Sequence, residues 1–221
     1  MLSKNEEKLA EVRAKTADIL ENLTISQKLA LQALEECDTK SFEQVKVPLK
    51  SINNDVEEID NLILTIFALY TPEASDLREM VAFLKITSSL QRIATNEKNY
   101  IKNMRICNPE SSEDVKRIIK DSLSINRCTI SALEYTIEMI NEIEDRDKIK
   151  DLSAKIAVEY SKTDDIYTMI EKDVLKMMHQ NHELNEEYIN LLKYIRKNLK
   201  IIDRLEDIVS RLMFARIGGK L

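Results

Sequence analysis

Thr71-Pro72-Glu73-Ala74-Ser75-Asp76-Leu77-Arg78 opens a stretch that runs without another Pro, and without any Gly, to Asn108-Pro109-Glu110-Ser111-Ser112. The residue before a proline avoids the α region, while proline itself suits the first helical position. Thr71 is therefore read as an N-cap, and Pro72 as the first residue of a helix that reaches about Ile106. A helix of about 30 residues is about 45 Å long. It cannot bury a face alone and must pack lengthwise against others of its kind.

The rest of the chain repeats this pattern. Upstream, Leu9, Val12, Thr16, Ile19, Leu20 and Leu23 recur at three and four residues. That is one face of a helix over about Ser3 to Cys37, with Ser3 and Glu6 placed to form a capping box. A turn at Asp38-Thr39-Lys40-Ser41 leads to a second helix, which Pro48 bends or divides. Its main part covers about Leu49 to Tyr70. Downstream, Ser111 or Ser112 caps a helix to about Glu144, with Ile118, Ile119, Leu123, Ile130, Leu133 and Ile137 as its buried stripe. The charged stretch 144–148 precedes a helix from about Asp147 to Met178. The polar stretch 179–183 then separates it from a last helix over Leu184 to Ile217. Gly218-Gly219 stands where a helix stop belongs.

Composition agrees with long helices. The 221 residues include only 2 Gly, 3 Pro and no Trp, too few turn residues for a sandwich, a barrel or a doubly wound sheet. The hydrophobic fraction, 43%, is near the globular norm and argues against disorder. The expected fold is all-α, with six long helices. They form two tandem three-helix bundles, residues 1–108 and 109–221, or one six-helix bundle. The break with Pro and a Ser cluster, residues 107–112, lies at the midpoint.

Net charge is −6, so nucleic acid and anionic lipid are not default partners, and contact with a membrane would be peripheral at most. No apolar run is long enough to span a bilayer, and no signal-type segment opens the chain. Cys37, Cys107 and Cys128 are odd in number, far apart and without a Cys-x-x-Cys neighbour. They are read as ordinary thiols in a reducing, cytoplasmic setting rather than as a disulfide framework.

The segment Pro72-Glu73-Ala74-Ser75-Asp76-Leu77-Arg78 then resembles the P-x-A-S-D-L-R opening of a long helix in the PhoU family, regulators of phosphate uptake. The resemblance continues in Lys85-Ile86 and in Gln91-Arg92-Ile93-Ala94-Thr95, which stands where the family has an E-R-I-G-D-type motif. Asn53 and the Ile59-Asp60 pair are similar to the family's upstream residues. Ile202-Asp203-Arg204-Leu205-Glu206-Asp207 looks like the second copy of the motif. The resemblance implies the fold expected above, read as two three-helix repeats. It also implies a non-enzymatic helical adaptor that represses phosphate uptake and starvation signalling. Its implied partners are a phosphate ABC transporter and a sensor histidine kinase, and a homodimer is compatible with it. The rival readings are an accessory protein of another phosphate permease, or a diverged helical scaffold with no metal or phosphate role.

In that family, acids at E/D-x-x-x-D spacing hold metal clusters. Residues i and i+4 share a helical face, where two carboxylates can chelate a cation. Asp203 and Asp207 keep this spacing, with Glu206 beside them, and the resemblance implies that Asp164 and Asp165 face them if they occupy the family's equivalent upstream acidic position. A divalent, iron or zinc ion is the implied cofactor of the second repeat. The alternative is a solvated face paired with Lys200, Arg204 and Arg211. In the first repeat Gln91 and Thr95 replace the acids, with Asn96 next, so that site is expected to be empty or weak. Asp76 and Arg78 are the candidate partner-binding residues, against a plain helix-start role for Asp76. His179 and His182 are read as exposed turn residues, Met177 and Met178 as core filler. Tyr167, Tyr188 and Tyr194 are read as seam residues with hydroxyls in water. No Gly-rich phosphate loop, nucleophile elbow or His-Glu-x-x-His is present, and no Glu-x-x-His pair suggests a di-metal enzyme.

Overall fold

A computed structural model describes residues 2–38, 41–70, 72–107, 110–180 and 182–218. Seven α-helices occur among these residues: α1 (Leu2–Glu35), α2 (Phe42–Val45), α3 (Ile52–Leu69), α4 (Ala74–Asn103), α5 (Glu113–Asn141), α6 (Arg146–Gln180) and α7 (Asn185–Ile217). No strand is present among the described residues. Six of the helices are long, and α2 is a single turn. None is long and apolar enough to cross a membrane.

The punctuation of the sequence explains the ends. Pro48 divides the second helical segment into α2 and α3. The break leaves the Val45 carbonyl without its usual partner, because the Leu49 amide bonds Lys46 instead. The Ser26 hydroxyl, reaching across from α1, donates to it at 2.8 Å. Ser112 caps α5, its Oγ accepting from the Val115 amide at 3.3 Å. Gly218 ends α7 at φ 88°, a conformation that favours glycine.

Two expectations about helix starts change. The N-cap of α4 is Glu73, not a residue before Pro72, and the Asp76 carboxylate accepts from the Glu73 amide at 3.2 Å. Thr71 lies outside the described residues, as do Asn108, Pro109, Asn181 and Gly219. Ser3 falls inside α1, which already begins at Leu2, so it is not an N-cap. Glu6 instead pairs with Arg13 at 2.7 Å.

Helix α4 packs against α7, α5 against both α6 and α1, and α3 against α1 and α4. The core has two apolar clusters, and each draws on both halves of the chain. One holds Leu9–Leu23 of α1 with Met80–Ala94, Ala132–Ile156 and Ile201–Leu212. The other holds Ala30 and Leu34 with Tyr100 and Cys107, Val115 and Ile125, and Ile170, Val174, Tyr188 and Ile195. The core is thus divided across the length of the bundle. Between the clusters lies a buried polar belt: Gln27 of α1, Glu97 of α4, Asn126 of α5, Thr163 of α6 and Asn198 of α7.

Cys37 and Cys107 are disulfide-bonded, which corrects the expectation of ordinary thiols. Lengthwise packing brings the end of α1 beside the end of α4, with the two Cα atoms 5.2 Å apart across a separation of 70 residues. Sequence spacing alone carries no trace of this approach. A bridge closing so long a loop is worth about 4 kcal/mol in the chain-entropy picture. Thiol titration of the unfolded, unreduced protein is expected to find one thiol, Cys128. Three thiols would overturn the pairing.

Candidate functional site

Helix α7 carries opposite charges on its two flanks. On the side toward α6, Asp203 and Glu206 act on Tyr160 together with Asp164, while Asp207 acts on Asp203 and Glu206. Burial raises the Asp203 carboxyl, with Arg204 and Lys200 opposing and Asp164 and Asp207 adding to the rise. Burial, then Asp203 and Asp207, raise Glu206 in the same way. The Tyr160 hydroxyl is raised first by Asp203, then by burial, Glu206 and Asp164. Four acids therefore share one field. Asp165 is exposed and is not among the charges acting on these groups.

This field is not a ready metal site. Among the described residues no group of three His, Cys, Asp or Glu side chains is arranged to hold an ion. Asp207 is engaged by Arg204 at 2.8 Å, as the solvated-face reading has it. The donor set as it stands does not fit a bound cluster, because no three of these acids converge on one point and a guanidinium competes for Asp207. In the first half, Gln91, Thr95 and Asn96 line a hollow with Arg92 of their own helix and Lys200 and Arg204 of α7. A cation there would meet like charge.

Asp76 and Arg78 are drawn into the fold at the N-terminal end of α4. Besides capping that helix, Asp76 accepts from the Asn5 side-chain amide of α1. Arg78 lies against Gly218, so that a Cβ at that glycine would come within 2.9 Å of Arg78 Nη1. Together they tie the start of α4 to α1 and to the end of α7. Asp60, of the Ile59-Asp60 pair, accepts from the Thr87 hydroxyl at 2.8 Å and links α3 to α4.

His179 and His182 are exposed at the end of α6 and in the turn after it, and Met177 is buried in the core. Tyr188 departs from the seam reading. It is fully buried, and its hydroxyl donates to Asp114 at 2.9 Å. A buried phenol requires such a partner, and the acid opening α5 provides it.

The sequence reading missed the two most unusual charged groups. Glu97 is fully buried in the polar belt, with no hydrogen-bond partner for either oxygen. Its signal was present, because it continues the apolar register Ile93-Ala94-Glu97-Tyr100-Ile101. The other is a buried ion triad in which Glu79 of α4 receives Arg13 of α1 and Arg216 of α7, each at 2.7 Å.

A hollow of about 1040 Å³ between α1, α5 and α6 includes Glu35, Cys37, Arg127 and Met169 in its lining. Arg127 pairs with Glu35 at 2.6 Å. The remaining thiol, Cys128, is raised to about 11 by burial and by Glu159, which suppresses its nucleophilicity.

These features define a protein of lengthwise-packed helices whose polar groups sit on helix seams. Comparison gives the particular kind. Residues 16–104 match the PhoU domain family. Over 213 residues the chain is 23% identical to the phosphate-specific transport system accessory protein PhoU homolog 1 of Methanothermobacter thermautotrophicus, covering 94% of this chain and 91% of that protein. It is 25% identical over 221 residues to the corresponding PhoU homolog of Zymomonas mobilis, covering 98% and 88%. The crystal structure of PhoU from Pseudomonas aeruginosa superposes with a TM-score of 0.84 at 19% identity, covering 97% of this chain and 99% of that one. The chain is thus similar to PhoU proteins over nearly its whole length, and its residues 16–104 match the PhoU domain.

Proposed function

We propose that this protein is a non-enzymatic, cytoplasmic regulator that restrains phosphate uptake and phosphate-starvation signalling when phosphate is plentiful. It acts as a rigid helical adaptor on a phosphate ABC transporter and a sensor histidine kinase. The observation that carries this reading is full-length similarity to two accessory proteins of phosphate-specific transport, together with the PhoU domain match. A bundle of long helices suits this role, because it presents extended exposed faces to partner helices.

The test is a deletion strain grown in phosphate-rich medium. Phosphate uptake and starvation-gene output are both expected to stay high where the parent represses them, and the chain supplied in trans restores repression. Uptake that changes alone would favour an accessory role at a permease without a kinase. No change in either would remove the regulatory reading.

A further inference from the structure

We propose that the groove between α4 and α7 is a binding site for phosphate groups. Three hollows run end to end along this seam. The middle one, about 400 Å³, joins Gln91, Arg92 and Asn96 of α4 to Lys200 and Arg204 of α7. The next, about 350 Å³, shares Arg92 and Arg204 and adds Lys85, Arg211, Ser88 and Ser89. The third, about 340 Å³, shares Lys200 and adds Lys193, Arg196 and Lys197. From Lys193 to Arg211 the row follows about 27 Å of helix.

The charge is concentrated, in a chain whose net charge is −6, and Asp203 and Asp207 offset only Lys200 and Arg204. Asp207 is the single carboxylate lining the three hollows, and it is taken by Arg204. Lys85, Arg92, Lys200 and Arg211 have no ion-pair partner among the described residues. Basic residues elsewhere are commonly paired, as in Lys15–Glu58, Lys28–Glu134, Arg127–Glu35 and Lys162–Glu159. Several like charges held along one seam repel one another, and a bound anion relieves that repulsion.

The donor types favour phosphate over an acidic protein segment. Guanidinium forks match the paired oxygens of a phosphate, and ammonium, hydroxyl and amide donors complete its shell. Thr95 is not one of these donors, since its hydroxyl bonds the Gln91 carbonyl at 2.9 Å. A partner helix would need apolar anchors. Leu84 and Tyr194 are the only such side chains in the groove, while exposed Val158, Met169 and Leu175 lie away on α6. The repeated hollows suit a ligand with several phosphate groups, whether a free phosphate chain or a phospholipid headgroup surface. This inference does not depend on the regulatory reading.

The test measures tripolyphosphate binding by calorimetry at low salt, and separately co-sedimentation with vesicles containing phosphatidylglycerol. At least one probe is expected to bind. The R92Q/R204Q double change is expected to weaken that binding at least about ten-fold, two charge-assisted contacts being removed. The exposed change K172Q on α6 is expected to leave it intact. Melting without ligand checks the fold, and K85Q/K200Q serves if the first variant is unstable. Loss of tripolyphosphate binding assigns a free phosphate chain, and loss confined to vesicles assigns a lipid surface. Binding of neither probe, or binding unaffected by both variants, overturns the proposal. So does capture of an acidic peptide in preference to both probes.

Discussion

Replacing Glu97 by Gln is expected to stabilise the protein, by an amount that grows with pH. Burial raises the Glu97 carboxyl from 4.5 to about 8, and Ser26 and Gln27 offset this only in part. Their donors are engaged elsewhere, Ser26 with the Val45 carbonyl and Gln27 with Asn198. The other side chains of the belt near Glu97 are neutral. Asn126 donates to Gln27 at 3.1 Å and accepts from Tyr100 at 2.9 Å. Burial and the Glu97 charge also raise the Tyr100 phenol, with Asn126 opposing, and no cation is among the groups acting on Glu97. The fold therefore prefers protonated Glu97. The stability tied to this group is complete below pH 4.5 and is lost as pH rises through about 8. Above that range the buried anion costs on the order of 5 kcal/mol, because each tenfold change in proton affinity is worth about 1.4 kcal/mol. Glutamine keeps the shape and removes the charge. Thermal melts of parent and E97Q are expected to coincide near pH 4.5 and to diverge steadily toward pH 9. Parallel curves across that range would show that Glu97 is not titrating in the fold.

The same position illustrates what a sequence can reveal about such a bundle. Helix number and order were legible because turn residues are so scarce that each one marks a boundary: Pro48 divides α2 from α3, Ser112 caps α5, and Gly218 stops α7. The i, i+4 acids of α7 were legible because they share one helix. Which helix faces which was not. The Cys37–Cys107 bridge, the α4–α7 groove and the Arg13–Glu79–Arg216 triad all join residues far apart in the chain. Each depends on how the helices pack together, and one helix's period carries no information about its neighbour's register. Glu97 is the intermediate case. Its place on an apolar stripe was visible, but its lack of a partner depends on Gln27, Asn126 and Asn198 arriving from three other helices.

Removing the Glu79 carboxylate is expected to produce the largest loss of stability. Arg13 donates to it through Nε at 2.7 Å and Nη2 at 3.0 Å, and Arg216 through Nη1 at 2.7 Å. Arg216 also reaches the Ile140 carbonyl at 3.4 Å, so the triad joins α1, α4, α5 and α7. Burial alone would raise Glu79, but the two guanidiniums outweigh it and hold the carboxyl below its ordinary 4.5. Its contribution is therefore present above pH 4.5 and lost as pH falls through the lowered value, opposite in sign to Glu97. Glu79→Ala leaves two buried cations with one carboxylate fewer and is expected to cost about 3–5 kcal/mol in urea unfolding. The triple change R13M/E79L/R216M removes the three buried charges at once, leaves only the exposed Glu6 without its Arg13 partner, and is expected to recover most of that loss, because a buried ion network often gives no net stability over apolar packing. A triple variant as unstable as Glu79→Ala would mean that the triad specifies the helix register rather than merely tolerating its own charges. Acid and alkaline limbs of the stability profile then have separate origins. Glu79 controls the fall below pH 4.5, Glu97 controls the fall toward pH 8, and E97Q is expected to flatten the second while leaving the first in place.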